Sequence, residues 1–255
     1  MNKKELKSFL DEKYTYYDQL QWIQDDPVSI PHRFSKKQDI EISGFLAAVI
    51  AWGNRKSILN NAERQLQIMD YSPHDFIIHH QVKDLKKCKG FVHRTFNEND
   101  LQYFLMALQR LYKENESMDD LFQKLINQKG FSQLILSDFK AYFFQIDHKF
   151  QRKKHLSDPR RNSAAKRLNM FLRWMVRKDQ YGVDFGIWDS ISPSELSCPL
   201  DVHSGNVARK LGLLQRKQND AKAVEELDVA LRKLDPNDPV KYDFALFGLG
   251  VYEKF

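Results

Sequence analysis

Two cysteines, Cys88 and Cys198, are all that the 255 residues contain. They exclude a disulfide framework and, by themselves, a four-cysteine metal site. Ten glycines and eight prolines are few for this length, which argues against a turn-rich all-β fold. The longest apolar stretch, Gly44 to Gly53, falls far short of the ~20 residues of a membrane span. The opening residues Met1-Asn-Lys-Lys-Glu-Leu-Lys7 lack the apolar core of a signal peptide. The expectation is a cytoplasmic protein with no membrane partner. Hydrophobic residues at 42% and aromatics at 13% suffice for a core and exclude disorder.

What is present is helical periodicity. Leu6, Phe9, Leu10, Tyr14, Tyr17 and Leu20 share one helical face in 4–23. Residues 39–52 are apolar nearly all round and read as a central buried helix. Further helices are expected to about 69, and over 97–111, 118–128, 131–148, 163–177, 220–234 and 238–251, with Asn97 to Asp100 as a capping region. The class is all-α. The chain reads as one unit, 1–255, with lobes 30–160 and 161–255 packed together and 1–29 packing on the second. The loop 151–162 marks the internal division.

The net charge of +6 is not evenly spread. Residues 152–178 hold ten cations and one acid, Asp158, giving +9 locally and −3 elsewhere. On a helix from Ser163, Leu168, Phe171, Leu172 and Met175 form an apolar face. Arg173 and Arg177 follow Lys166 by 7 and 11 residues. At roughly 100° per residue each lies within about 20° of its direction. This predicts a basic stripe opposite the core, suited to phosphates; a solvated helix face is the plainer alternative. Asp201, after Pro199 and before Val207, Ala208 and Leu211, occupies an N-cap position, with Gly212 closing the helix.

The string Leu200-Asp-Val-His203, followed by Val207-Ala-Arg209 and Leu211-Gly212, resembles the "VDTHV…RV…RLG" segment of the helix-hairpin-helix DNA glycosylases. That superfamily includes endonuclease III, the adenine glycosylases and the 8-oxoguanine glycosylases. Asp39 to Arg55 is similar to their "PFELLIAVLLSAQT" helix pair, and Tyr242 to Val251 to their last core helix. The whole chain is closer still to a bacterial family of unknown function, through strings such as Arg167 to Arg177 and Pro199 to His203. The resemblance implies a multi-helix glycosylase-like fold. It implies binding of lesion-containing double-stranded DNA and excision of a damaged base, with no cofactor or metal. Too few cysteines remain for the iron–sulfur cluster of endonuclease III.

By motif, Asp201 would stabilise the oxocarbenium-like sugar and activate the nucleophile. The lysine of bifunctional members, 18 residues earlier in an "LPGVGxKTA" hairpin, has no counterpart: Val183 stands there, and Tyr181 to Trp188 is not such a hairpin. An archaeal branch places its lysine further upstream. Lys166, 35 residues before Asp201, takes the role by that analogy, with Arg167 at 34 as the rival alignment. Phosphate contact is the alternative for Lys166. Nucleic-acid contacts are expected from Asn54, Arg55, Arg160, Arg161, Arg167, Arg173, Arg177, His203 and Arg209. A flipped base would meet His93, Arg94, Trp174 and Trp188. Burial is the alternative for the two tryptophans.

Two rivals stand beside this reading. One is a non-catalytic glycosylase-like module that binds DNA or protein. The other is a metal-dependent phosphohydrolase. Its H…HD…D pattern is loosely matched by His74-Asp75, His79, His80 and Asp84, with His32 as the first ligand.

Overall fold

The computed structural model describes residues 1–255 and is all-α. In chain order the helices are α1 (Lys3–Tyr17), α2 (Lys37–Val49), α3 (Arg55–Ile68), α4 (Pro73–His79), α5 (Glu98–Glu114) and α6 (Met118–Lys129). They continue as α7 (Ile135–Phe143), α8 (Lys166–Val176), α9 (Val202–Lys210), α10 (Ala221–Leu234) and α11 (Tyr242–Val251). The only sheet is a hairpin of β1 (Val92–His93) and β2 (Phe96–Asn97). No helix is long and apolar enough to cross a membrane. The chain divides into two compact units: 1–22, 131–136 and 157–255 form the first, and 23–130 with 137–156 the second.

In the second unit α2 is the central element, as its all-round apolar sequence predicts. Every residue from Ile40 to Val49 is buried. Phe45 stacks on Phe104 of α5 at 6.1 Å and meets Phe139 of α7 edge-on at 5.7 Å. One charged residue lies within this buried stretch. The Glu41 carboxylate, fully buried, accepts from the Tyr112 hydroxyl at 2.7 Å and from the Met118 backbone N–H at 3.0 Å. Glu41 thus places an anion at the N-terminus of α6, where orphan N–H groups and the helix dipole stabilise it. The hairpin ends in α5, whose capping box joins Asn97 and Asp100.

In the first unit α11 packs against both α1 and α9. Gly248 permits the close approach of α1, because a side-chain carbon there would overlap the Tyr17 ring. Leu10, Val207, Leu227 and Leu246 belong to the shared core with α10. Several expected helices are shorter in the structure. The first ends at Tyr17 and the seventh covers Ile135–Phe143 rather than 131–148. The last begins as a 3-10 turn at Pro239–Lys241 before α11.

Glu41→Ala would strand buried donors in the second unit. We expect a loss of about 2–4 kcal/mol, measured as a lower urea midpoint with unchanged m-value.

Candidate active site

Lys166 and Asp201 come together in the first unit. Lys166 is the first residue of α8, and its Nζ lies 3.1 Å from Asp201 Oδ2. Asp201 is the N-cap of α9, as its sequence position predicts. Its Oδ1 accepts from the Ser204 N–H at 2.9 Å and from the Ser204 hydroxyl at 3.1 Å, while the Asp201 N–H donates to Ser204 Oγ at 3.0 Å. Two helix N-termini therefore meet at one ion pair. The positive end of α8 disfavours a lysine, and the Asp201 carboxylate offsets that. Burial would raise the Asp201 carboxyl, but Lys166 and Ser204 outweigh it and hold the group below the ordinary carboxylate range. The side chains are 32% and 17% exposed, so the pair is open to solvent.

Phe247 of α11 lies beside the pair. Lys166 Nζ is 5.9 Å from its ring centroid, and the exposed His203 ring meets it edge-on at 6.4 Å. Sequence reasoning missed Phe247, because an aromatic in an apolar helix carries no motif. It also missed Asn219, whose side-chain amide donates to the Asp201 carbonyl at 2.8 Å.

The basic stripe is corrected by the structure. Lys166, Arg173 and Arg177 do follow one direction, but it faces inward. Arg173 is 7% and Arg177 1% exposed. Arg173 donates to Asp184 at 3.3 Å and Asp243 at 2.5 Å. Arg177 reaches Asp184 at 3.0 Å, Asp18 at 3.3 Å, Asp238 at 2.8 Å and the Tyr14 hydroxyl at 2.7 Å. These acids lie outside the 152–178 window, so local charge counting could not see them. Neither arginine is available to DNA phosphates. Arg209 is likewise committed inside the protein, with Nε to the Arg216 carbonyl at 2.8 Å and a terminal nitrogen to Asn219. Arg160 and Arg161 are exposed, and Arg167 is half-buried.

The expected base pocket is also corrected. Trp174 is fully buried and Trp188 is 2% exposed, edge-on to Phe171 at 5.5 Å. Both are core residues of the first unit. His93 and Arg94 belong to the second unit. His93 is buried, with Nε2 3.0 Å from the Trp52 carbonyl and Nδ1 3.2 Å from the Asn61 amide. Arg94 is exposed, with its guanidinium 5.1 Å over the Trp52 ring. Asn54, also exposed, caps α3 by accepting from the Ser57 N–H at 3.1 Å, and the half-buried Arg55 follows it.

The phosphohydrolase pattern does not assemble. His74 Nδ1 faces Lys36 Nζ at 2.8 Å, His79 pairs with Asp75 at 3.1 Å, and His80 is buried on the Phe76 ring at 5.3 Å. No three His, Cys, Asp or Glu residues form a group able to hold a metal ion. Cys88 and Cys198 are free and buried. Burial, with neighbouring acids, raises the Cys198 thiol well above its ordinary range.

A family model described as "Protein of unknown function (DUF2400)" matches residues 26–252. The chain belongs to that family. No curated protein and no solved structure matches it.

Buried acids outnumber their cations here. Burial, reinforced by Asp179 and Asp184, outweighs Arg177 and pushes Asp18 up to about 7. Burial likewise pushes Asp243 up to about 6. A carboxyl held above its unfolded value contributes stability that is full at acid pH and lost as pH rises through the folded value. Asp18→Asn should therefore flatten the fall in unfolding free energy between pH 5 and pH 7, a slope of up to about 1.4 kcal/mol per pH unit for one proton. Urea titrations at both pH values measure it.

Proposed function

We propose that this DUF2400 chain binds double-stranded DNA and cleaves the N-glycosidic bond of a damaged base. The observation that carries the reading is the solvent-open Lys166–Asp201 pair at 3.1 Å. It joins the two residues singled out by the glycosylase resemblance, although they lie far apart in sequence. An ionised carboxylate beside C1′ would stabilise the positive charge that grows as the C–N bond breaks. Lys166, after giving a proton to solvent water, would attack C1′ as the base departs with the bonding electrons and takes up a proton from water. Ring opening of the aminosugar would then give a Schiff base, the route to strand cleavage in lyases. Phe247 and His203 flank the place where the substrate would lie.

The capping box favours a competing reading. Asp201 already has a structural role, and a non-catalytic DNA-binding module would need no more from it. Asp201→Asn separates the two, because asparagine caps a helix as well as aspartate and the fold survives. Glycosylase action predicts that base release from a lesion-bearing duplex falls about 10²–10³-fold or more in this variant. A Lys166-dependent borohydride-trapped adduct would assign the lysine as nucleophile. Full DNA binding with no base release from any lesion duplex would favour the module instead.

The exposed Arg160 and Arg161 are the phosphate contacts this reading needs. Replacing both with glutamine should lower the slope of log affinity against log salt by about 2. An unchanged slope would remove the loop from the DNA interface.

A further inference from the structure

The Lys166–Asp201 pair is held by neighbouring residues on a connection that belongs to neither partner's helix. Between α9 and α10, Asn219 and Asp220 stand side by side. The Asn219 amide donates to the Asp201 carbonyl at 2.8 Å, and Asn219 Oδ1 accepts from Arg209 one helix back. Asp220 accepts from the Asn162 side chain at 3.1 Å, and its backbone forms an isolated bridge with Ser163. It is also ion-paired to Arg216 and caps α10 through the Ala223 N–H at 3.1 Å. One residue of the dipeptide thus anchors Asp201. The other anchors the loop that leads into Lys166.

That loop requires anchoring. Asn162 has φ 59° and Ala165 has φ 46°, both left-handed. Alanine has no side-chain hydrogen bond to offset this conformation, which disfavours it. Ala165 immediately precedes Lys166, so the strained residue fixes the direction from which the lysine leaves the backbone. Gly205 supplies the third part. It lies on the first turn of α9, and a side-chain carbon there would stand 2.8 Å from Asn219 Oδ1 and 3.0 Å from an Arg209 terminal nitrogen. The absence of a side chain at Gly205 is what lets the Asn219 amide sit against α9.

We infer that Asn219 and Asp220 are positioning residues that set the geometry of the Lys166–Asp201 pair, Asn219 through the Asp201 carbonyl and Asp220 through Asn162. Their catalytic meaning rests on the function proposed above; their effect on the pair does not. Asn219 touches neither charged group of the pair, so its removal acts only through placement.

The test reads the pair directly. In ¹⁵N-lysine-labelled full-length protein, the Lys166 ammonium signal, assigned by its loss in Lys166→Met, should exchange with water more slowly than exposed lysines. Asn219→Ala should speed that exchange roughly fivefold or more, because the pair opens more often. Gly205→Ala provides an independent route that also serves if Asn219→Ala fails to fold. Alanine is the better helix former, so this substitution should not destabilise α9 through propensity, yet its methyl displaces Asn219. Faster Lys166 exchange in folded Gly205→Ala supports the inference. Exchange as in the wild type in both folded variants overturns it, and so does wild-type exchange in Gly205→Ala where Asn219→Ala does not fold. If the wild type releases no base from lesion duplexes while Gly205→Ala still frees Lys166, the glycosylase reading falls and the positioning role stands.

Discussion

Arg177 is the point on which the first unit depends. It is 1% exposed and draws on Asp18 after α1, Asp184 in the segment after α8, and Asp238 before α11. An unpaired guanidinium at such a depth would cost several kcal/mol, and so would any of its carboxylates left alone. The fold therefore has to bring these segments together at once. Arg173, a turn earlier, repeats the arrangement with Asp184 and Asp243. Between them the two arginines fix the rotation of α8 about its axis. Lys166, on the same face, is thereby turned toward Asp201. The charged interior of this unit is a register device first, and the candidate site is its solvent-open end.

Asp201 serves the fold as an N-cap, and in the proposed function the same contacts would serve the chemistry. As an N-cap it satisfies the Ser204 N–H, which stabilises α9 by about 1 kcal/mol. The same contacts, with Lys166, keep the carboxylate ionised. A charged group prepared in this way needs little reorganisation when positive charge develops nearby, which is the general source of electrostatic catalysis. The opposite behaviour appears a short distance along α11. Asp243 shares its surroundings with Cys198 and other acids, and burial pushes it up. Two carboxylates of one unit are thus driven apart in proton affinity by exposure and partners.

Local signals were legible in the sequence where the physics is local. The caps at Asn97 and Asp201 and the all-round apolar α2 could be read directly, because capping and burial leave fixed residue types at fixed spacing. The Lys166–Asp201 pairing came from resemblance, not spacing. The inward turn of Arg173 and Arg177 was not legible, since their partners lie up to 163 residues away. Trp174 and Trp188 failed as pocket residues for a related reason: nothing local distinguishes a stacking platform from a core aromatic. The hairpin at 92–97 was too short to show alternation, and its turn is set by Arg94 at φ 54°. Asn219 had no motif at all. Its role exists only once Gly205 and Asp201 are folded against it.

The corrected charge map changes which cations the proposed DNA binding would draw on. Of the ten cations in 152–178, Arg173 and Arg177 are neutralised inside and Lys166 is paired. Arg167 is half-buried, and Arg152, Lys153, Lys154, Arg160, Arg161 and Lys178 are exposed, Arg152 with Asp100 3.7 Å away. Five of these six precede α8, in the loop and 3-10 turns that end near Asn162. A helical stripe would hold phosphates at fixed spacing. A loop of this kind would supply the sequence-independent, salt-sensitive share of the proposed binding. In the proposed function, selectivity for a damaged base would fall to the Lys166–Asp201 pair and its Phe247 flank. Such a division of labour would suit the proposed base excision, in which a weakly paired base is extruded: the search would need only the backbone and the decision only the site.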